Sequence, residues 1–305
     1  MDNSTAKRKR SSFERSRTWT GILFLLPTFI ITAVFVIWPL IQVFRYSFTD
    51  WDGIQATMNY IGLTNYKQLP DMPGFLDMCK ATIIYALLVT VLVIIVAFLM
   101  ALLLDKKGKW RINRGLMRGL WFFPCLLSGI VVGILWRIMY NYNNGIINTL
   151  LKSAGAKPVN WLEDANMAMF SVIVASVWAM TGMCIIIFMA GLQSIDSGLY
   201  EAASIDGATS GQQLWHITIP MMAPSITINV ITTSIAAFKM YELPNTISNG
   251  GPGYATTLLT SKIYALGITS ANAGKGSALA VVLILIITLI SLIQLVYLRK
   301  REDIY

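Results

Sequence analysis

Long apolar runs constrain this chain more than any other feature. Six stretches, roughly 20–44, 81–104, 116–140, 168–192, 225–245 and 277–298, each come close to the ~20 apolar residues that a helix needs to cross a hydrocarbon core. In lipid every backbone donor and acceptor must be satisfied within the segment, so each run is expected to be helical. The fifth is the weakest, because it holds several Thr and Ser and then Lys239 and Glu242. Charged residues make up only 13% of the chain, against about 25% in soluble domains. The expected fold class is all-α and integral to the membrane, with six transmembrane helices.

Orientation follows from the basic residues. With segments 1–19, 105–118, 193–224 and 299–305 placed inside, they hold 6, 6, 0 and 3 Lys plus Arg, whereas loops 47–80, 141–167 and 246–276 hold 2 each. The positive-inside rule then gives N-in and C-in. This topology also accounts for the net charge of +9 without a nucleic-acid partner. Lys7-Arg8-Lys9-Arg10 resembles the start of a signal peptide, but the apolar run that follows is too long and lacks a small-residue cleavage site. It is expected to stay as the first span. Trp19, Trp38, Trp51, Trp110, Trp136 and Tyr140 fall near predicted interfaces, while Trp178 falls mid-span and is expected between helices. Pro27 and Pro124 are expected to kink their spans.

Catalytic chemistry finds little support. One histidine, His216, and three scattered cysteines, Cys79, Cys125 and Cys184, have no metal-ligand spacing and form no triad. Gly274-Lys275-Gly276 fails the P-loop pattern, since Thr269 and Gly276 stand where Gly and Ser or Thr are required. No cofactor is expected in the chain. Thr233, Lys239, Tyr241, Glu242 and Asn245 lie on or beyond the fifth span, and polar groups at membrane depth are candidates for a solute path. Lys239 and Glu242 are three apart, so a helical ion pair is the plainer expectation for them. Arg137, Asn141 and Asn143 are read as interface anchors, or as contacts for a partner protein, at the outer end of the third span.

The segment 193–224 breaks the charge rule. It has no Lys or Arg but carries Asp196, Glu201 and Asp206. Ser197 is expected to cap a short helix through Ile205, and Gly207 to end it in a left-handed conformation. Thr209 or Ser210, with Gln212 or Gln213, can form a capping box for a second helix running to Pro220. A lipid-anchored interfacial helix would carry basic residues, so this helix–turn–helix is expected to dock a protein.

Glu201-Ala202-Ala203-Ser204-Ile205-Asp206-Gly207-Ala208, followed by Leu214, Ile217, Pro220 and Pro224, resembles the EAA loop of binding-protein-dependent ABC importer permeases. Leu26-Pro27, Trp38-Pro39-Leu40, Asn160-Trp161-Leu162, Asn249-Gly250-Gly251-Pro252-Gly253 and Gly276-Ser277-Ala278-Leu279-Ala280 are similar to the carbohydrate and glycerol-phosphate branch, in the manner of the maltose-system F subunit. The resemblance implies a type I importer (MetI-like) bundle in the bacterial inner membrane. It implies a coupling contact through Glu201, Ala202, Ala203, Asp206, Gly207 and Pro220.

The implied partners are a second homologous permease, an ABC ATPase dimer that uses ATP, and an extracytoplasmic sugar-binding protein. The implied organisation is a basic segment 1–19, a first helix at 20–46, a transmembrane domain at 75–298 with coupling loop 193–224, and a tail at 299–305. A stand-alone secondary transporter is the alternative, and a membrane enzyme is disfavoured by the lack of clustered acid–base residues. Orientation is testable alone: a reporter active only in the cytoplasm should be active when fused after Tyr305 and silent when fused after Asn143. The reverse pattern would overturn N-in and C-in.

Overall fold

The computed structural model describes residues 12–105 and 114–302. The basic run Lys7–Arg10, loop residues 106–113 (with Trp110) and tail residues 303–305 lie outside the described residues, and eight of the basic residues behind the orientation argument lie there too. Helices α1 (Ser12–Thr32) and α2 (Trp38–Tyr46) join through a π turn at Ala33–Ile37 into the first apolar segment. A loop with the short α3 (Thr64–Gln68) leads to α4 (Phe75–Asp105). The third segment comprises α5 (Arg114–Phe122), a 3-10 turn at Phe123–Leu126 and α6 (Gly129–Met139). Short α7 (Ile146–Ser153) precedes the long α8 (Ala165–Gln193). Then come α9 (Ser197–Ile205), α10 (Ser210–Gln213), α11 (Ile219–Met221) and α12 (Ala223–Phe238). The last three are α13 (Glu242–Ser248), α14 (Leu259–Tyr264) and α15 (Ala273–Glu302).

Among the described residues, four helical stretches are long and apolar enough to cross a membrane alone: Ile22–Tyr46, Phe75–Leu104, Ala165–Gln193 and Ala273–Lys300. The third and fifth predicted spans are bent pairs instead. Gly115–Leu126 and Gly129–Met139 meet at 105°, and Ser210–Met221 and Ala223–Phe238 meet at 63°. At Pro124 the missing N–H and the ring do more than kink the helix. The chain tightens to a 3-10 turn, Leu127 becomes extended, and Ser128 starts α6 by accepting from Val131 N–H at 3.4 Å. Pro27, by contrast, sits within an unbroken α1. The expected helix over 225–245 also stops early. It ends at Phe238, and α13 begins only at Glu242.

The core is built on α4. Tyr85, Val89, Val93, Ala97 and Ala101 recur every fourth residue and are fully buried, so they share one helix face. That face packs against α8, and its side chains shrink along the helix, from Tyr85 to Ala101. The polar groups in this apolar seam are paired, as burial requires. Tyr85 donates to Ser176 Oγ at 2.8 Å. Phe98 meets Phe188 edge-on, with centroids 5.4 Å apart. Trp178 lies half-buried against Trp136 at 5.8 Å, between helices as expected.

Two close approaches depend on glycine. A Cβ on Gly182 of α8 would come 2.5 Å from the Trp121 carbonyl oxygen and 2.8 Å from Cys125 Sγ. One on Gly191 would collide with Ser225 Oγ and sit 2.9 Å from Met222 Sδ. Away from these contacts, the first segment buries none of its most apolar stretch. It is fastened where it meets the loop. Asn65 Nδ2 donates to the Ser47 and Thr49 carbonyls at 3.0 and 2.8 Å, and Gly274 N–H donates to the Trp51 carbonyl at 2.8 Å. In the same loop, backbone and side-chain donors of Asn59 hold the Asp50 carboxyl below its ordinary range.

Overpacking at a tight seam costs about 1–3 kcal/mol. Gly182→Val should therefore lower the thermal midpoint of the purified protein. Gly119→Ala, where nothing lies within 4 Å, should leave it in place. Equal midpoints for the two variants would contradict the seam.

Candidate functional site

The segment between α8 and α12 forms a helical elbow whose turns are all closed by local chemistry. The helix cap is Asp196, not the expected Ser197. Its Oδ1 accepts from Gly198 N–H at 2.9 Å, and Ser197 is the first helical residue. A carboxylate caps better than a hydroxyl here because it also meets the positive end of the helix dipole. Helix α9 ends as expected at Gly207, with φ +81°. Ala208 N–H reaches the Ala203 carbonyl at 2.8 Å and Gly207 N–H the Ser204 carbonyl at 3.2 Å, the paired bonds of a Schellman stop. Thr209 and Gln212 then form the expected capping box. The second helix passes through a π turn at Leu214–Thr218, with Pro220 and Pro224 in first-turn positions of α11 and α12.

Side chains weld these helices together. Gln213 Nε2 donates to Ser204 Oγ at 2.9 Å, and Tyr200 OH pairs with Thr218 Oγ1 at 3.0 Å. Glu201, Ala202, Asp206 and Gly207 are exposed, Ala203 is half-buried, and Pro220 sits half-buried in the elbow. Ile205, at the end of α9, is 87% exposed, Trp215, in the π turn, is 68% exposed, and Leu199 of α9 is exposed as well. Sequence reasoning did not single out the exposed side chains of Ile205 and Trp215. The available signal was large apolar side chains on an otherwise polar, acidic segment.

A cavity of about 630 Å³ lies between the broken third segment, α8 and the α12–α13 turn. It gathers Thr233, Lys239, Tyr241 and Glu242 of the predicted path; Asn245 is not on its wall. Lys239 and Glu242 do not share a helix, because the chain leaves helical geometry between them, and they form no ion pair among the described residues. Tyr241 stacks on Tyr264 at 4.7 Å, and Thr260 Oγ1 donates to the freed Met240 carbonyl at 2.7 Å. Asn229, not singled out in the sequence, is fully buried on the wall. Its Nδ2 reaches the Cys184 carbonyl at 3.4 Å, and its Oδ1 has no partner. An unpaired buried acceptor is costly. The glycines of the Gly274-Lys275-Gly276 sequence are used for packing, since a Cβ on them would strike the Thr49 and Gly267 backbones.

Residues 110–302 match the family described as binding-protein-dependent transport system inner membrane component. The chain belongs to this family. Binding-protein-dependent permeases similar to it include the probable starch degradation products transport system permease AmyD of Thermoanaerobacterium thermosulfurigenes, 30% identical over 96% of this chain and 98% of that one. The trehalose/maltose transport system permease MalF of Thermococcus litoralis is 31% identical over 99% and 100%. The sn-glycerol-3-phosphate transport system permease UgpA of Brucella suis is 33% identical over 91% and 94%. The permease fold is also that of a chain in the crystal structure of a bacterial ABC transporter involved in the import of the acidic polysaccharide alginate. The TM-score is 0.81 at 23% identity, over 93% of this chain and 96% of that one. The chain is thus a multi-pass inner-membrane transport permease.

Removing an N-cap hydroxyl costs about 1 kcal/mol. Thr209→Ala should raise the hydrogen-exchange rates of the Gln212 and Gln213 amides roughly five-fold, while those of α8 stay unchanged. Unchanged exchange at both amides would mean that the capping box does not hold the elbow.

Proposed function

We propose that this chain is one permease subunit of an ABC importer that carries a carbohydrate or related polyol delivered by an extracytoplasmic binding protein. A second, similar permease completes the bundle, and ATP is hydrolysed by a separate ATPase pair. The solute class is supported by the relatives, whose names specify starch degradation products, trehalose and maltose, and glycerol phosphate. The hydrogen-bonding groups of the cavity suit it as well. Asn229 Oδ1 can accept from a hydroxyl, Lys239 can donate, and Glu242 can accept.

The observation that carries the proposal is the rigid, exposed α9 placed directly between two helices of the cavity wall. The ATPase would seat the acidic, lysine-free and arginine-free face of Glu201, Ala202 and Asp206, with Ile205 as an apolar anchor. Gly207 and Pro220 would set the shape of the elbow, and Ala203 its close approach. Displacement of α9 would pass to α12 through Tyr200–Thr218 and through the Gly191 contact with Met222 and Ser225. The bundle then has two states, one favoured by ATPase closure and the other by its opening.

Glu201→Lys and Gly207→Pro should leave membrane insertion intact and reduce ATP-dependent uptake at least ten-fold. Ile205→Glu should in addition release the ATPase when the transporter is purified in mild detergent. Normal uptake by the first two variants would reject the coupling role. A chain that purifies alone, with uptake driven by an ion gradient, would point to a secondary transporter.

A further inference from the structure

A second cavity, of about 380 Å³, opens between the starts of α4 and α8 and the loop 249–258. Helix α4 contributes Asp77, Lys80, Ala81 and Ile84, which recur at i, i+3, i+4 and i+7 and so share one face. Lys80 is the last charged residue of α4 before Asp105, and α8 carries no charge after its Asp164 cap. The cavity therefore straddles the boundary between headgroups and hydrocarbon. Asp77, Lys80 and Asn166 stand on its water side. Ile84, one turn deeper than Lys80 and 48% exposed, stands with Met169 on its lipid side. Tyr254 supplies the third wall. Its ring lies against the bare backbone of Gly74, where a Cβ would strike it. The loop that carries it is held to α4 by Leu259 N–H, which donates to the buried Thr82 Oγ1 at 2.9 Å. None of these residues lines the solute cavity.

The polar groups of this pocket are uncommitted. Asp77 and Lys80 share a helix face, yet no ion pair joins them among the described residues. The Asn166 side-chain amide and the Tyr254 hydroxyl have no hydrogen-bond partner there either. We propose that this pocket holds the headgroup of a phospholipid that carries a primary ammonium beside its phosphate, the phosphatidylethanolamine class. Lys80 offers its ammonium to the phosphate, and Asp77 offers an acceptor-only carboxylate to the ammonium of the lipid. Asn166 and Tyr254 can donate to the first or accept from the second. Ile84 and Met169 cover the top of an acyl chain. A headgroup with a phosphate and no ammonium would bring a second negative charge to Asp77. A quaternary ammonium has no hydrogen to donate to that carboxylate and is held best by a cage of aromatic faces, whereas one tyrosine lines this pocket. A water-borne loop or solute would leave Ile84 and the lipid side uncovered. Seated here, the headgroup ties the start of α4 to that of α8 and to the loop.

The inference rests on this pocket alone, so its failure would leave the importer assignment untouched. The detergent-purified, delipidated transporter is offered phosphatidylethanolamine, phosphatidylcholine or phosphatidylglycerol of identical chains and read by native mass spectrometry. Wild type should retain phosphatidylethanolamine at least five-fold better than either of the others. Asp77→Asn should abolish that preference, and Lys80→Gln should weaken retention of all three lipids. Lys67→Gln, an exposed change on α3 away from the pocket, should match wild type. Equal retention of the three lipids by wild type, or an unchanged preference in Asp77→Asn, would overturn the site. So would a loss of binding-protein affinity in Asp77→Asn with lipid retention intact, which would assign the pocket to protein docking. A second measurement needs no variant. Phosphatidylethanolamine with a diazirine at the top of one chain should cross-link to Ile84 or Met169, and unlabelled phosphatidylethanolamine should suppress this where phosphatidylcholine does not. Labelling suppressed equally by both lipids would mean ordinary contact with the bilayer and would reject the pocket.

Discussion

The constraint on which everything else depends is the absence of water around the backbone. Inside lipid, a helix can break only where protein or a cavity receives the freed N–H and C=O groups. Two of this chain's breaks, Phe123–Leu127 and Lys239–Tyr241, face each other across the same space. Each is repaired locally. Ser128 caps the helix after the first break, and Thr260 Oγ1 satisfies the Met240 carbonyl at the second. The cavity is thus where irregular backbone is tolerated, and irregular backbone is what brings Lys239, Tyr241 and Glu242 to its wall.

The unbroken helices serve the opposite purpose. The stripe of α4 from Tyr85 to Ala101, one residue in four, seats α8 along much of its length. Its far end runs into the elbow through Gly191, Asp196 and Tyr200. A stiff helix thus joins the exposed elbow to a polar cavity. The elbow's fastenings are hydrogen bonds between side chains and turn atoms, which resist bending better than loop contacts alone.

Much of this was legible in the sequence, because the signals were periodic or chemical. Apolar run lengths located the segments, and the Glu201–Ala208 motif with its two prolines gave the family. Gly207 and the Thr209–Gln212 pair behaved as their side-chain chemistry requires. What failed depended on tertiary context. Pro27 and Pro124 look alike in sequence, yet one stays in a helix and the other ends one, according to what surrounds them. Lys239 and Glu242 were expected to share a helix turn, a spacing that vanished when the helix ended at Phe238. Asn229 lies among Thr and Ser residues that pair with their own backbone, and only its burial reveals a free acceptor.

The hydrogen bond from Gly274 to the Trp51 carbonyl also orders events in time. The loop that steadies the first segment reaches its final seat only after the ribosome has made the start of α15. At ordinary rates of synthesis this is a delay on the order of ten to forty seconds. Through that interval the first segment has little to hold it but the bilayer, with its apolar surface open to passing helices. Biogenesis of this permease therefore closes a ring, its earliest span waiting on its latest.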